Sequence, residues 1–445
     1  MQPEGPATQT AMPAPGEEVL RLEPVEGLQG SLTVPGDKSI SHRALILGAL
    51  AGGARGIRNL STGEDVRSTR KCLEALGASS RGSGEALWWE GWDGGVPREP
   101  GEVLDAGNSG TTLRLLAGLL AGQPLFAVLT GDASLRRRPM DRVVHPLRQM
   151  DAEIWGREGG RFAPLAIRGR PLQAIRYDSP VASAQVKSAL LLAGLGLAGE
   201  TVVTEPFRSR DHTERMLRYL GAEIRSDERG VRVRGGKPLQ AREIQVPGDP
   251  SSAAFLLVAA LITRRSEVEV RDVCVNPTRV GFLRILERMG ASIRWGATRE
   301  VCGEPVADLT AVSCRLRATA IEPAEVPSCI DEIPILCIAA ASAEGTTQIT
   351  GAKELRVKES DRIAAMALNL ARMGVPVRER PDGLEIQGRG RIGAFAGESG
   401  QDHRIALSLM VAALAAAGPS RISEASCVGV SFPGFLDCLQ PLILK

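Results

Sequence analysis

The stretch VPGDKSISHRALILGALA (34–51) sets Lys38, Ser39 and Arg43 around the start of an apolar helix, just after a tight Pro-Gly turn and an aspartate able to cap it. Unpaired backbone N–H groups already make a helix start positive, so added cations there read as a local anion site. It is not a nucleotide-gripping loop, because Asp37 separates Gly36 from Lys38 and the G-x-x-x-x-G-K-[ST] spacing is absent. LDAGNSGTTLRLLAG (104–118) repeats the arrangement with Asn108, Gly110 and Thr111, the glycine admitting a ligand close to the backbone. SPVASAQVKSALLLAGL (179–195) places Ser183 and Gln185 before a third apolar helix, and QDHRIALSL (401–409) places Asp402, His403 and Arg404 before a fourth. VKESDRIAAMALNL (357–370) puts Lys358 and Arg362 at i, i+4 on one helix face with Glu359 between them. SCIDEIPILCIAAA (328–341) puts Asp331 and Glu332 before a helix with no polar face. A carboxylate there is most commonly a first-turn dipole partner; among cations it is also a candidate general base. SLRRRPMDR (134–142), which holds Arg138, is a basic loop, and such runs are usually solvated. With seven lysines against 47 arginines, Lys38 and Lys358 read as chosen for compact charge or a transferable proton.

The elements that must carry these groups recur along the chain. The phrase ending CLEALGASSR returns as PLRQMDAEIW, MLRYLGAEIR, ILERMGASIR and NLARMGVPVR, roughly every 70 to 84 residues, the mark of one supersecondary unit used repeatedly. Each copy follows an amphipathic helical pattern and precedes alternating apolar residues that predict paired strands, with a glycine capping the helix end. Six units fit the length, the last degraded in FPGFLDCLQPLILK. A second, thinner VPGDPSSAAFLLVAALI (246–262) divides them three and three, and holds Pro250, Ala254 and Phe255 where the first holds Lys38, His42 and Arg43. A common helix-to-strand turn would give some of these matches, but five at near-regular spacing favour a repeat. Arg67, Arg138, Arg210, Arg279 and Arg362 lie nine to twelve residues before their markers, around the first turn, where a cation implies an anion opposite.

Composition limits the function classes. A chain of 445 residues accommodates two substantial domains. Its 54 basic and 52 acidic residues nearly cancel, so no global field draws it to nucleic acid or membrane. Eight Phe, five Trp and two Tyr, without basic-aromatic interleaving, make a nucleic-acid or non-catalytic anion scaffold a distant alternative. The eight cysteines show no C-x-x-C pair and no metal-ligand spacing, and are expected as buried thiols in a reducing cytoplasm. Residues 1–17 lack a basic start and an apolar stretch and are expected as a disordered tail. The longest uncharged apolar run, 405–418, falls short of the about 20 residues that span a bilayer, so a soluble protein is expected.

In order and spacing, PGDKSISHRA, LDAGNSGTTLRLL, RRRPM, SAQVKSALL, RDHTE, DEIPIL, VKESDR and DHRIA resemble the 5-enolpyruvylshikimate-3-phosphate synthase family, the 3-phosphoshikimate 1-carboxyvinyltransferases of the shikimate pathway. SAQVK, RDHTE and NPTR (276–279) resemble its class II subgroup. The resemblance spans nearly the whole chain past residue 20. It implies an α/β, two-domain enolpyruvyl transferase fold of six βαβαββ repeats, three per domain, with helix starts aimed at the cleft between the domains. One domain would be 37–246 and the other 18–36 with 247–445, the chain crossing at the two VPGD phrases. It implies transfer of the enolpyruvyl group of phosphoenolpyruvate to shikimate 3-phosphate by a cytoplasmic monomer, without metal or organic cofactor and without nucleic-acid or membrane partners. The resemblance assigns shikimate 3-phosphate to Lys38, Ser39, Arg43, Ser183, Ala184, Gln185, Arg210, Asp331 and Lys358. Phosphoenolpyruvate falls to Lys38, Asn108, Gly110, Arg138, Gln185, Arg362 and Arg404. Asp331 is the implied base on the 5-hydroxyl, and Glu359 and Lys38 the implied proton carriers. Three positions depart from the patterns of the family: Ala184 stands for a class I serine, Glu354 where many members have asparagine, and Val430 for a class I lysine that class II members also lack. The nearest alternative, UDP-N-acetylglucosamine enolpyruvyl transferase, has a loop cysteine that GDASLRRRPMD lacks.

Overall fold

A helix without a polar face must be buried, and among the described residues six helices are buried along almost their whole length: Lys38–Leu50, Gly110–Ala121, Ala184–Gly194, Pro250–Ile262, Ile333–Ser342 and His403–Leu414. The computed structural model describes residues 19–83, 86–228 and 230–444, and the expected tail at 1–17 lies outside the described residues. By contact the chain falls into two units. The first is Pro35–Pro247 with Glu300–Pro305; the second is the remainder, the described residues up to Val34 with Gly248–Arg299 and those from Val306 on.

Each unit repeats one pattern: strand, buried helix, strand, amphipathic helix, hairpin. In the middle repeat of the first unit these are Leu104–Asp105, Gly110–Ala121, Phe126–Thr130, Asp141–Gln149, and the hairpin Glu153–Gly156 with Phe162–Arg168. The opening strand lies parallel to the second strand (Leu104 opposite Leu129), and the last strand runs antiparallel between its neighbours. Two repeats borrow their opening strand because the chain enters each unit partway round. Ile244–Gln245 closes the Ala54–Arg58 sheet in parallel, with Ile244 opposite Ile57. Gln29–Thr33 likewise closes the Glu267–Cys274 sheet. The sixth repeat is reduced, as the degraded FPGFLDCLQPLILK implied: its short helix is Phe435–Leu439, and Val19–Leu22 supplies the antiparallel strand beside Ser420–Ser423. The architecture is α/β, six βαβαββ repeats arranged three per unit.

The repeat markers have a backbone reason. Gly77, Gly221, Gly290 and Gly374 take φ of 101°, 85°, 85° and 76° just past their helices, a left-handed stop that costs a glycine little. Asp151 takes the same place at φ 69°, which explains the D in PLRQMDAEIW.

In the first unit Gly118 lies where two buried helices cross, and a Cβ there would stand 2.2 Å from Ala189 O. Gly118→Ala would gain up to about 1 kcal/mol of helix propensity, but overpacking against backbone costs about 1–3 kcal/mol. The clash wins, so the urea midpoint is expected to fall with the m-value unchanged. In the second unit the helices from Pro250, Ile333 and His403 form the core with Phe255, Phe432 and Phe435, whose rings meet edge to face at 6.3 and 5.2 Å.

Three expectations need correction. Glu300–Pro305 belongs to the first unit rather than staying with 247–445, because His212 Nδ1 sits 2.8 Å from Glu304 Oε1 and Arg215 Nη1 donates to Gly303 O at 3.0 Å. All eight cysteines are free, but only Cys72, Cys274, Cys329 and Cys337 are buried; the other four are half-buried. Lys358 and Glu359 are not on a helix: Asp361 caps the helix by accepting from Ala364 N at 3.0 Å, so it begins at Arg362. Among the described residues no helix is long and apolar enough to cross a membrane.

Candidate active site

In the first unit three buried helices begin at one end and are joined there side chain to side chain. Asp37 accepts from Ile40 N at 2.7 Å, Ser109 from Thr112 N at 3.1 Å and Ser183 from Val186 N at 3.4 Å, so each start is capped and its remaining N–H groups point outward. Gly36 makes the first turn possible, since a Cβ there would stand 1.8 Å from Asn59 O. Arg43, one turn into its helix, donates to Thr213 Oγ1 (2.6 Å), Ser188 Oγ (2.8 Å) and Ser39 O (2.8 Å). Burial pushes its pKa down, and the Glu214 carboxylate opposes that shift. Arg210 lies near enough to lower it further. His42 is held well below its ordinary value by burial, then by Lys38 and Arg43, so it is neutral at pH 7 and leaves the positive charge to its neighbours.

Lys38 Nζ sits 3.0 Å from Asp65 Oδ2 and keeps about a fifth of its side chain in solvent. Asn108 Oδ1 accepts from Arg138 Nη2 at 2.6 Å, and its amide donates to Asp132 Oδ2 at 2.7 Å. Gln185 Oε1 accepts from Arg114 Nη1 at 2.5 Å, and Gln185 Nε2 donates to Thr111 Oγ1 at 3.0 Å. These partners orient the side-chain amide, and a Cβ at Gly110 would press on the same guanidinium, 2.9 Å from Arg114 Nη1. The first unit therefore carries Lys38, Ser39, Arg43, Asn108, Gly110, Arg138, Ser183, Ala184 and Gln185 at or next to its helix starts, with Arg210 near enough to act on the charge of Arg43.

In the second unit the arrangement is denser in carboxylates. Arg362, 1 % exposed, donates through Nε to Asp402 Oδ2 (2.8 Å) and through Nη2 to Glu359 Oε2 (2.6 Å), and its Nη1 lies 3.6 Å from Asp331 Oδ1. Burial pulls the Arg362 pKa down, but Asp402 and then Glu359 more than offset it, so the net shift is upward. Asp402 is the mirror case: burial raises its pKa, Arg362 outweighs it, and the carboxyl stays below its ordinary value. Arg404 Nη1 donates to Asp331 O at 3.0 Å, and its Nη2 lies 3.7 Å from Asp331 Oδ2. Asp331 is thus clasped by two guanidinium groups. Lys358 stands apart, with Glu354 Oε1 at 3.9 Å.

The five first-turn arginines do not share one fate. Arg279 faces the protein's own Asp249 and Ser251, at 3.2 and 2.9 Å, and is 2 % exposed. Arg67 is exposed. The sequence reading misses Arg114, Lys187 and Glu205; a lone cation inside TTLRLLAG or QVKSALLLAG is a usable signal for the first two. Asp65 and Asp132 carried no comparable signal.

The chain matches the model of the family EPSP synthase (3-phosphoshikimate 1-carboxyvinyltransferase) over residues 22–439. A 3-phosphoshikimate 1-carboxyvinyltransferase of Synechococcus sp. (strain JA-3-3Ab) is 56% identical over 434 residues, 97% of this chain and 98% of its own. The solved EPSP synthase of Acinetobacter baumannii superposes with a TM-score of 0.87 at 42% identity, covering 96% of this chain and 99% of that one. The enolpyruvyl transferase NikO from Streptomyces tendae shares the fold, with a TM-score of 0.76 at 18% identity over 96% of this chain and 98% of its own.

Proposed function

The chain belongs to the EPSP synthase family, and from that membership we propose how its residues run the reaction. The enzyme transfers the enolpyruvyl group of phosphoenolpyruvate to the 5-hydroxyl of shikimate 3-phosphate and releases phosphate, a step towards aromatic amino acids. The observation that carries our reading is Asp331 held 3.6 and 3.7 Å from the guanidinium groups of Arg362 and Arg404. A carboxylate base stands beside two groups able to clamp an anion bidentately.

Both substrates are polyanions, and two like charges about 4 Å apart repel by about 4 kcal/mol at an effective dielectric near 20. The cations at the helix starts offset that repulsion. Shikimate 3-phosphate is held by Lys38, Ser39, Arg43, Ser183, Ala184, Gln185, Arg210 and Lys358, with Asp331 on its 5-hydroxyl. Phosphoenolpyruvate is held by Lys38, Asn108, Gly110, Arg138, Gln185, Arg362 and Arg404. Asp331 takes the hydroxyl proton as that oxygen bonds to the central carbon of phosphoenolpyruvate. Glu359 or Lys38 delivers a proton to the methylene end, giving a tetrahedral intermediate. Loss of a proton from the new methyl group then expels phosphate, and the guanidinium groups stabilise the leaving charge.

The test is phosphate release on mixing phosphoenolpyruvate with shikimate 3-phosphate or with UDP-N-acetylglucosamine. Turnover with the first acceptor is expected, and turnover with the sugar nucleotide alone would overturn the reading. Arg138→Ala removes a charge-assisted contact of about 1.5–3 kcal/mol. The KM for phosphoenolpyruvate is expected to rise roughly 10- to 100-fold; an unchanged KM would take Arg138 out of the site. Our reading places the enzyme in the cytoplasm, which its free cysteines support, and takes it as a monomer, which sedimentation at assay concentration tests.

A further inference from the structure

RDHTE (210–214) gives the reaction only Arg210, yet its other four residues are buried, none above 5 % exposed. Glu214 Oε1 lies 2.9 Å from Lys187 Nζ, and Glu205 Oε2 lies 3.0 Å from the same ammonium, which is 2 % exposed. Burial pulls the Lys187 pKa down, but Glu214 and Glu205 together reverse that, and it is raised overall. A buried ion triad is weak evidence for stability, because desolvation consumes most of the attraction. Its meaning lies in what it fixes.

Glu205 does more than pair with Lys187. It accepts from Ser183 N at 2.8 Å and from Ser209 Oγ at 2.8 and 2.7 Å, and Lys187 Nζ itself donates to Ser209 O at 3.4 Å. Ser183 opens the Ser183–Gln185 segment and Ser209 precedes Arg210, so one ammonium and one carboxylate tie together two segments far apart in sequence. A neighbouring residue on each helix serves the same end. Ser188 follows Lys187 and Thr213 precedes Glu214; these hydroxyls, 2.6 Å apart, both accept from Arg43.

We propose that Lys187 is a positioning residue for shikimate 3-phosphate: through Glu205 and Glu214 it sets the register between Ser183–Gln185 and Arg210, so that both meet one phosphate group. This rests on the site reading given above. Arg210 is therefore the control, and Lys187→Met with Glu214→Gln is the test, since that pair removes the bridge while the buried net charge stays at minus one. The KM for shikimate 3-phosphate is expected to rise at least about tenfold, with the KM for phosphoenolpyruvate and kcat within about threefold of the parent. Lys187→Met alone should show the same split with a lower melting temperature; if it does not fold, the double variant carries the test. A purely structural role predicts otherwise: the double variant would regain both melting temperature and KM, and that result overturns the proposal. A parallel rise in both KM values overturns it too. If Arg210→Ala leaves the KM for shikimate 3-phosphate unchanged, the site reading falls and the proposal with it; if Arg210→Ala raises that KM and the double variant does not, the proposal alone is wrong.

Discussion

Asp331→Asn is expected to bind shikimate 3-phosphate within a few fold of the parent and to turn over at least about 100-fold more slowly, the usual cost of losing a general base. The substitution is chosen to isolate the proton transfer. Asparagine keeps the shape, and Arg404 still donates to the backbone carbonyl of residue 331, a contact now 3.0 Å long. Arg362 keeps Asp402 and Glu359, at 2.8 and 2.6 Å, so its charge stays compensated. What disappears is the acceptor for the 5-hydroxyl proton. The loss should fall on kcat, because the interaction matters most as the carbon–oxygen bond forms. Single-turnover phosphate release with both substrates saturating reads it directly, and near-normal turnover would remove Asp331 from the role. Glu359→Gln separates the two proton steps: it should slow protonation of the methylene end, seen as slower deuterium entry from solvent into recovered phosphoenolpyruvate.

The helix starts were legible because capping is local. PGDKS, NSGTT and VASAQ each hold a side chain that accepts from an N–H three residues on, and the structure forms helices there. Legibility ended where a residue depends on a distant partner. Lys358 and Arg362 suggested one helix face until Asp361 proved to be the cap, a choice between two nearby residues that spacing alone does not make. Arg279 looked like a cation awaiting a ligand, but its anion is Asp249, 30 residues earlier in the chain. The borrowed strands Gln29–Thr33 and Ile244–Gln245 escape a linear reading for the same reason, since each completes a sheet whose other strands lie elsewhere in sequence. Glu300–Pro305 goes with its neighbours on sequence grounds; the contacts of His212 with Glu304 and of Arg215 with Gly303, across 92 and 88 positions, move it to the other unit.

The second large effect is on stability. Arg362→Met removes the cation from a site where Asp402 is fully buried and Glu359 and Asp331 lie close. Removing one partner of a buried pair costs about 3–5 kcal/mol, far more than the pair contributes to stability, because the remaining charge is left without compensation. For a unit of this size that lowers the melting temperature by on the order of 10 °C. The pH dependence identifies the cause. In the parent, Arg362 outweighs burial and keeps the Asp402 carboxyl below its ordinary value. The stability Asp402 contributes is thus present above the unfolded aspartate value, about 3.9, and is lost only as pH falls below that towards the folded value. Without Arg362 the largest opposition to burial is gone; His403 and the hydrogen bonds from Arg404 N and Ser360 Oγ still favour the carboxylate, but the folded-state value is expected to move above the unfolded one. The ionised carboxylate then opposes folding at neutral pH, and the penalty shrinks as protons are supplied. The gap in melting temperature between parent and variant should therefore narrow from pH 7.5 to pH 5. A gap independent of pH would mean that the loss comes from packing around the methionine rather than from an unpaired carboxylate.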